Sequence, residues 1–382
     1  MKYTFRKFIN DIHLWLGIGS GILIFLICLS GTILTFEKEI EGIFDEKLTV
    51  VPQGEMLSIE SMASTLSANG EVMSVKIGND SEKPFEFRVK TSPENRRGTV
   101  FFVNPYTGET LKPEPTVLND FFLSMFKLHR WMLVDSSIGR PIVGIATIIF
   151  LFLTISGLIL WFPKNLKWRN MKQGFKIKFS ANWKRINHDL HNTLGFYSSL
   201  LLIIMVLTGL NWSFEWYKDG ASAVLGAKIF NRGGGPEFET QAQPEEWKMP
   251  EEILAVSQAE LDYLGETTLR FPSKPEGVYT ISKTNPNSMV PVAADNLVLD
   301  RNGALLSKNL FSDKPFNEQV AGLIKPLHTG EIFGLYSKIL YFLVCLFATS
   351  LPVTGTIIWI NKLKKKRKKR LNLSSISEET VI

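Results

Sequence analysis

The sequence predicts an α-helical membrane protein: four transmembrane helices from an internal duplication, with two small α+β modules outside the cytoplasm. Three observations carry that fold class. Apolar residues gather into four charge-free runs, positive charge is segregated to one side of them, and short motifs recur at fixed offsets.

The runs are Leu14–Phe36, Pro141–Phe162, Leu194–Phe214 and Ile339–Ile360 in a chain of 382 residues. Each meets the requirement of about 20 residues for crossing a hydrocarbon core about 30 Å thick. A soluble enzyme, a disordered chain and a DNA-binding module are thereby excluded, although the mean hydropathy of +0.06 is ordinary. The first run is longer than the roughly 7–15 residues of a signal-peptide core. It ends in Phe36-Glu37-Lys38-Glu39, so it is expected to stay as an anchor. The two cysteines, Cys28 and Cys345, lie inside runs one and four, which leaves the outer modules without a disulfide or a thiol metal site.

Charge sets orientation. The segment before run one, the loop between runs two and three, and the tail after run four hold 19 of the 43 basic residues and only four acids, Asp11, Asp189, Glu378 and Glu379. The remainder is net −9. By the positive-inside rule, both termini and the middle loop are cytoplasmic. The net charge of +6 therefore reads as topology and as contact of the basic tail with membrane lipid, with no nucleic acid implied.

The duplication appears at an offset of 178. His13-Leu14-Trp15-Leu16-Gly17 matches His191-Asn192-Thr193-Leu194-Gly195, Ser30-Gly31 matches Thr208-Gly209, and Glu37 matches Glu215. At 198, Ser156-Gly157 matches Thr354-Gly355 and Trp161 matches Trp359; at 199, Leu128-His129 matches Leu327-His328. Both halves start in the cytoplasm, so the repeat is parallel and its pseudo-two-fold axis lies along the membrane normal.

These signals divide the chain as follows. Residues 1–13 are a cytoplasmic N-terminus and 14–36 the first transmembrane helix. Residues 37–127 form the first outer module, and 128–162 a histidine segment with the second transmembrane helix. The basic cytoplasmic loop is 163–190 and the third transmembrane helix 191–214. The second outer module is 215–326, the second histidine segment with the fourth transmembrane helix 327–361, and the basic tail 362–382. In the first module, Met56–Ala68 has helical character and Glu71–Ile77, Phe85–Thr91 and Thr99–Val103 read as strands, closed by the turn Asn104-Pro105-Tyr106-Thr107-Gly108. The second offers a helix at Pro250–Tyr263, strands near Thr267–Phe271, Val278–Ser282 and Leu297–Leu299, and a turn at Asp300-Arg301-Asn302-Gly303. Gly226–Pro244, with Gly233-Gly234-Gly235-Pro236, reads as a flexible loop of the second half alone.

The five histidines carry the chemical signal. His13 and His191 lie at the cytoplasmic ends of runs one and three; His129 and His328 lie on the outer side, before runs two and four. Neutral imidazole is the commonest metal ligand and an axial ligand of haem iron. A two-fold axis brings equivalent side chains face to face, which suits a haem held between helices. Sidedness pairs His13 with His191 and His129 with His328. His188 has no repeat partner, and a bland role or contact with a haem propionate is expected for it. Gly17, Gly19 and Gly21 after His13, and Gly195 after His191, would let a flat macrocycle approach; tight helix packing is the competing reading. Trp131, Trp161, Trp212, Trp216 and Trp359 are expected in an interfacial belt, Asn211 in a helix-to-helix hydrogen bond, and Glu37 and Glu215 in local salt bridges.

The His-Leu-Trp-Leu-Gly opening, Leu128-His129-Arg130-Trp131, the His191–Gly195 repeat, Leu327-His328-Thr329-Gly330 and the paired outer modules resemble the PepSY-associated transmembrane family. The turn at Asn104–Gly108 is similar to the end of a PepSY module, and the second module keeps Asp300 and Gly303 of that pattern. The resemblance covers nearly the whole chain. It implies a bacterial inner-membrane protein with haem b ligated at His13, His129, His191 and His328, two haems in all, one near each membrane face. It further implies ferric-siderophore or other ferric-chelate reduction. No flavin or nicotinamide motif is present, so quinol or a cytoplasmic reductant is the expected electron donor. A membrane-anchored PepSY adaptor or peptidase regulator is the alternative, and a transporter ranks last because buried membrane charges are lacking.

Overall fold

The computed structural model describes residues 3–44, 48–95, 98–112, 116–230 and 238–379. Helix α1 (Phe5–Leu34) is followed by α2 (Glu37–Phe44), α3 (Ile59–Ser67), strands β1 (Glu71–Ile77), β2 (Phe85–Lys90), β3 (Thr99–Val103) and β4 (Thr110–Leu111), then α4 (Val117–Trp131) and α5 (Ser136–Trp161). The second half runs α6 (Trp168–Met171), α7 (Trp183–Ser213), α8 (Glu215–Leu225), α9 (Pro250–Glu260), β5 (Thr267–Arg270), β6 (Tyr279–Thr284), β7 (Ala294–Leu299), β8 (Leu305–Asn309), α10 (Phe316–Gly322), α11 (Ile324–Thr329) and α12 (Leu335–Glu379).

Among the described residues four helices are long and apolar enough to cross a membrane: α1, α5, α7 and the Leu335–Arg367 part of α12. They pack in a ring, α1 beside α5 and α12, and α7 beside the same two. Small polar residues line the contacts; Ser20, Ser30, Ser198 and Thr354 are buried, and Thr32 meets Thr349 across α1 and α12 at 3.3 Å. Such residues allow close backbone approach and return their hydroxyl protons to carbonyls one turn back.

The helices outrun the apolar stretches. Thr4 caps α1, accepting from Lys7 N–H, so His13 lies more than two turns inside it. Asn182 caps α7, accepting from Arg185 N–H at 3.1 Å, so His188 and His191 are helical too. Hydropathy marks where lipid begins, whereas a cap marks where a helix begins, and the two need not coincide. The tail beyond Arg367 continues α12. In the other direction, α4 starts at Val117, earlier than the expected start of the histidine segment, because Thr116 and Asn119 form a capping box.

The outer segments differ from expectation in one respect. They do not stand as two separate modules but form one eight-stranded sheet, ordered β4-β3-β2-β1-β5-β6-β7-β8. β1 and β5 pair antiparallel, Val75 opposite Leu269 and Ile77 opposite Thr267. Each strand alone would be an open edge, and pairing satisfies both rows of backbone groups. Alternation then puts Val75, Phe87, Val89, Leu269, Ile281 and Leu297 on one face, all fully buried, under Met62 and Leu66 of α3 and Ile253 of α9 in a single core. Lys283 shares that face and is buried; its ammonium donates to Gln258 Oε1 at 2.5 Å and Leu261 O at 2.9 Å. The short strands β4 and β8 were not expected. Gly233-Gly234-Gly235-Pro236 lies outside the described residues.

Several expected surface roles are corrected. Trp161 is buried beneath Phe196, with ring centroids 4.0 Å apart, because Phe175 of the basic loop between α5 and α7 folds back on both. Trp212 packs on His328 at 5.2 Å. Asn211 donates to Leu207 O and Thr208 O of its own helix. Glu215 pairs with Lys218 as expected, but the partner of the other half is Glu39, which takes Lys338 at 2.6 Å.

Candidate functional site

Each of the four repeat-related histidines is held the same way. His13 on α1 places Nδ1 2.8 Å from Ser156 Oγ on α5, and its Cε1 lies 3.5 Å from where a Cβ on Gly157 would stand. His191 on α7 places Nδ1 2.9 Å from Thr354 Oγ1 on α12, beside Gly355, with the corresponding distance 3.2 Å. On the outer side, His129 of α4 reaches α1: Nδ1 is 2.9 Å from Ile27 O and 3.4 Å from Ser30 Oγ, and Cε1 is 3.0 Å from a Cβ on Gly31. His328 of α11 reaches α7: Nδ1 is 2.9 Å from Met205 O and 3.2 Å from Thr208 Oγ1, and Cε1 is 2.9 Å from a Cβ on Gly209. Every imidazole thus sits over the glycine of a Ser-Gly or Thr-Gly step on a neighbouring helix.

Hydroxyls and carbonyls orient each ring through Nδ1. The carbonyls of Ile27 and Met205 can only accept, so Nδ1 of His129 and of His328 carries hydrogen and Nε2 keeps the lone pair. His13 and His191 use Nδ1 in the same way toward the hydroxyls of Ser156 and Thr354, which leaves their Nε2 free of that contact. That is the form in which a histidine ligates a metal while a hydrogen bond from its other nitrogen orients the ring.

The pairs form as sidedness requires. The His13 and His191 rings lie 6.3 Å apart between centroids, and those of His129 and His328 lie 6.2 Å apart. An imidazole nitrogen sits about 1 Å from its ring centre and about 2 Å from a bound metal ion, so two rings on one ion stand about 6 Å apart. Among the described residues no three His, Cys, Asp or Glu side chains gather at one point. Two imidazoles without further donors suit an ion whose other positions belong to a macrocycle.

The inner pair opens onto a cavity of about 770 Å³. Its walls are apolar, with Leu14, Ile18, Phe150 and Leu351, and thin at Gly17, Gly21, Gly157, Gly195 and Gly355. The end toward the start of α1 carries Arg6, Lys7, Lys164 and Lys362, and among the described residues no carboxylate lines it. An apolar slot between two imidazoles, with cations at its mouth, fits a flat hydrophobic macrocycle bearing anionic propionates. Arg6 also donates to Phe162 O at 2.7 Å and so ties α1 to the end of α5. His188 is exposed at the mouth, 3.6 Å from the Asp189 carboxylate, and is not part of the pair. Between the two pairs the bundle is filled by Ile24, Cys28, Leu202, Met205, Tyr341, Val344 and Ala348.

Gly17 and Gly195 line the cavity, as the sequence suggested, but each meets only a leucine methyl at ordinary contact. The glycines that touch imidazole are Gly31, Gly157, Gly209 and Gly355. Sequence reasoning found these only as repeat matches. The signal was present, because each follows a hydroxyl residue at a position where the halves agree. The outer elements that carry His129 and His328 end in left-handed turns, at Met132 (φ 55°) and Gly330 (φ 78°). A Cβ at Gly330 would stand 2.5 Å from the Tyr341 ring, so that turn needs glycine on space as well as on φ.

No curated protein matches the chain at a significant level. The model of the PepSY-associated TM region matches residues 11–362, from before His13 on the first spanning helix to Lys362 on the fourth, and the chain belongs to that PepSY-associated transmembrane family.

Proposed function

We propose that this protein is a haem-containing inner-membrane reductase that moves electrons across the membrane to reduce a ferric siderophore or another ferric chelate. The observation that carries the reading is the pair of facing imidazole sets, 6.3 Å and 6.2 Å between ring centroids, each ring with Nδ1 bonded and Nε2 available. When bound, a haem b at each pair would supply one-electron ferric–ferrous chemistry at its own face of the membrane.

On this reading His13 and His191 hold the inner haem and His129 and His328 the outer one. Ser156, Thr354, Ser30 and Thr208 keep each ring aimed. Gly17 and Gly195 give the inner macrocycle room, and Lys164 meets its propionates. The internal duplication is supported by the offsets in sequence, by the symmetric strand order about β1–β5, and by the four equivalent cradles. The outer sheet is then two PepSY-like modules joined edge to edge. The electron donor is quinol or a cytoplasmic reductant, and both termini lie in the cytoplasm. Release has a chemical reason: oxygen-donor chelators hold iron(II) more weakly than iron(III).

The test begins with the absorption spectrum and haem content of the purified protein. Two haems per chain with a reducible b-type spectrum are expected. His13→Ala or His191→Ala loses one, His129→Ala or His328→Ala the other, and His188→Ala keeps both. The reduced protein, given ferric siderophores anaerobically, is then reoxidised while iron(II) accumulates in a ferrous trap. Haem-free protein, or full haem in all four single variants, would refute the reading and favour the PepSY adaptor.

A further inference from the structure

We infer that a cleft at the cytoplasmic end of α7 and α12 binds the phosphodiester headgroup of an anionic phospholipid. The cleft measures about 410 Å³ and is lined by Lys184 and His188 of α7 and by Ile358, Asn361, Lys362, Lys364 and Lys365 of α12. Four lysine side chains line it, and among the described residues no carboxylate does. The nearest acid in sequence, Asp189, is buried and taken by Arg185 at 2.7 Å. Among the described residues none of the four lysines has an ion-pair partner. Like charges held together around one concavity repel unless an anion joins them.

Depth decides what that anion is. Ile358 is the apolar floor, two residues from the end of the fourth charge-free run, and Asn361 begins the polar side. On the same side of the membrane, Trp168, Phe179 and Trp183 are largely exposed. Exposed tryptophans at a helix start mark the headgroup level of a bilayer. A phosphate held by lysines at that level, above an apolar floor, is the arrangement of a lipid rather than of a soluble phosphate. His188, Ile358 and Lys362 line both this cleft and the inner cavity. The headgroup therefore sits at the cavity's mouth and shields it from the cytoplasm. The inference does not depend on haem, because the cleft and its lysines are there whatever the histidines bind.

The experiment uses the full chain purified in a neutral detergent. Binding of phosphatidylglycerol, phosphatidylcholine and inorganic phosphate is measured by native mass spectrometry. Phosphatidylglycerol is expected to bind at one site and phosphatidylcholine far more weakly. The double variant Lys184→Gln with Lys362→Gln should lose about 25-fold in affinity, at roughly fivefold for each basic residue near an anionic surface. Lys184→Arg with Lys362→Arg, which keeps charge, should bind as the unaltered protein does and so reports on folding. Lys172→Gln with Lys176→Gln, on the basic loop but outside the cleft, should change affinity less than about threefold. An equal loss in that loop variant would show a diffuse field and no site. Displacement of the lipid by inorganic phosphate at comparable concentration would assign the cleft to a soluble anion. Either result, or equal binding of both lipids, overturns the inference.

Discussion

On the proposed haem reading, replacing the cradle glycines by alanine should remove haem in an order set by four distances. A Cβ at Gly209 would stand 2.9 Å from His328 Cε1, at Gly31 3.0 Å from His129, at Gly355 3.2 Å from His191, and at Gly157 3.5 Å from His13. Ordinary contact begins at 3.4 Å. His328 must therefore retreat by about 0.5 Å, against its bond to Met205 O and the Trp212 ring, whereas His13 need not move. Overpacking of this kind costs about 1–3 kcal/mol, which is roughly a five- to 150-fold loss in haem affinity at the outer pair. Helix propensity acts the other way, since alanine in a helix interior is favoured over glycine by about 1 kcal/mol. A loss therefore reports the imidazole contact and not a weakened helix. The assay is haem content per chain, with the temperature of haem release followed in the Soret band. Gly209→Ala should lose the outer haem and keep the inner one, Gly31→Ala should follow closely, Gly355→Ala should weaken the inner haem, and Gly157→Ala should be nearly silent. If Gly157→Ala matched Gly209→Ala, or if Gly209→Ala kept both haems with unchanged release, the cradle reasoning would fail.

Other outcomes follow from the same geometry. Thr354→Val removes the hydroxyl at 2.9 Å from His191 Nδ1, and loss of such an orienting partner should cost about 10- to 100-fold in affinity for the proposed inner haem. Burial alone would raise the Glu331 carboxyl, but Lys38, Thr329 and Lys338 outweigh it and hold its pKa below the usual carboxylate range. Its stabilisation is therefore present at neutral pH and lost as pH falls through that lowered value, and Glu331→Gln should flatten the acid limb of a thermal-stability profile. Leu269→Ala, at a fully buried position beside the β1–β5 seam, should cost about 2–5 kcal/mol and lower one common unfolding transition of the sheet, where two independent modules would leave one half unmoved.

The spans were legible because lipid imposes a run of apolar residues that little else produces. The histidine pairing was legible because sidedness forbids the alternatives. The fused sheet was not, since Val75 and Leu269 are 194 residues apart and each strand pattern is complete in its own half. Alternation tells a strand which face is buried, but not which edge meets another strand. Trp161 misled for a related reason. An aromatic residue at the end of an apolar run is ordinarily interfacial, and here Phe196 and the return of Phe175 from the basic loop bury it. The cradle glycines lay in view as repeat matches, but their role depends on a neighbouring helix that no local pattern names.

One spacing joins the two sites through single helices. His13 and Gly31 on α1 are 18 residues apart, as are His191 and Gly209 on α7. At 3.6 residues per turn this is about five full turns, so histidine and glycine return to the same face of each helix. At about 1.5 Å per residue they are separated by on the order of 27 Å, close to the thickness of the hydrocarbon core. Each of α1 and α7 thus gives a histidine to the inner pair and the glycine seat to the outer pair. Neither α5 nor α12 carries this double duty; each seats an inner histidine through Gly157 or Gly355. The outer histidines come instead from α4 and α11, which are not among the spanning helices and sit against α1 and α7. The two sites are therefore fixed at opposite faces by the pitch of two continuous helices, and their separation cannot change without breaking one of them.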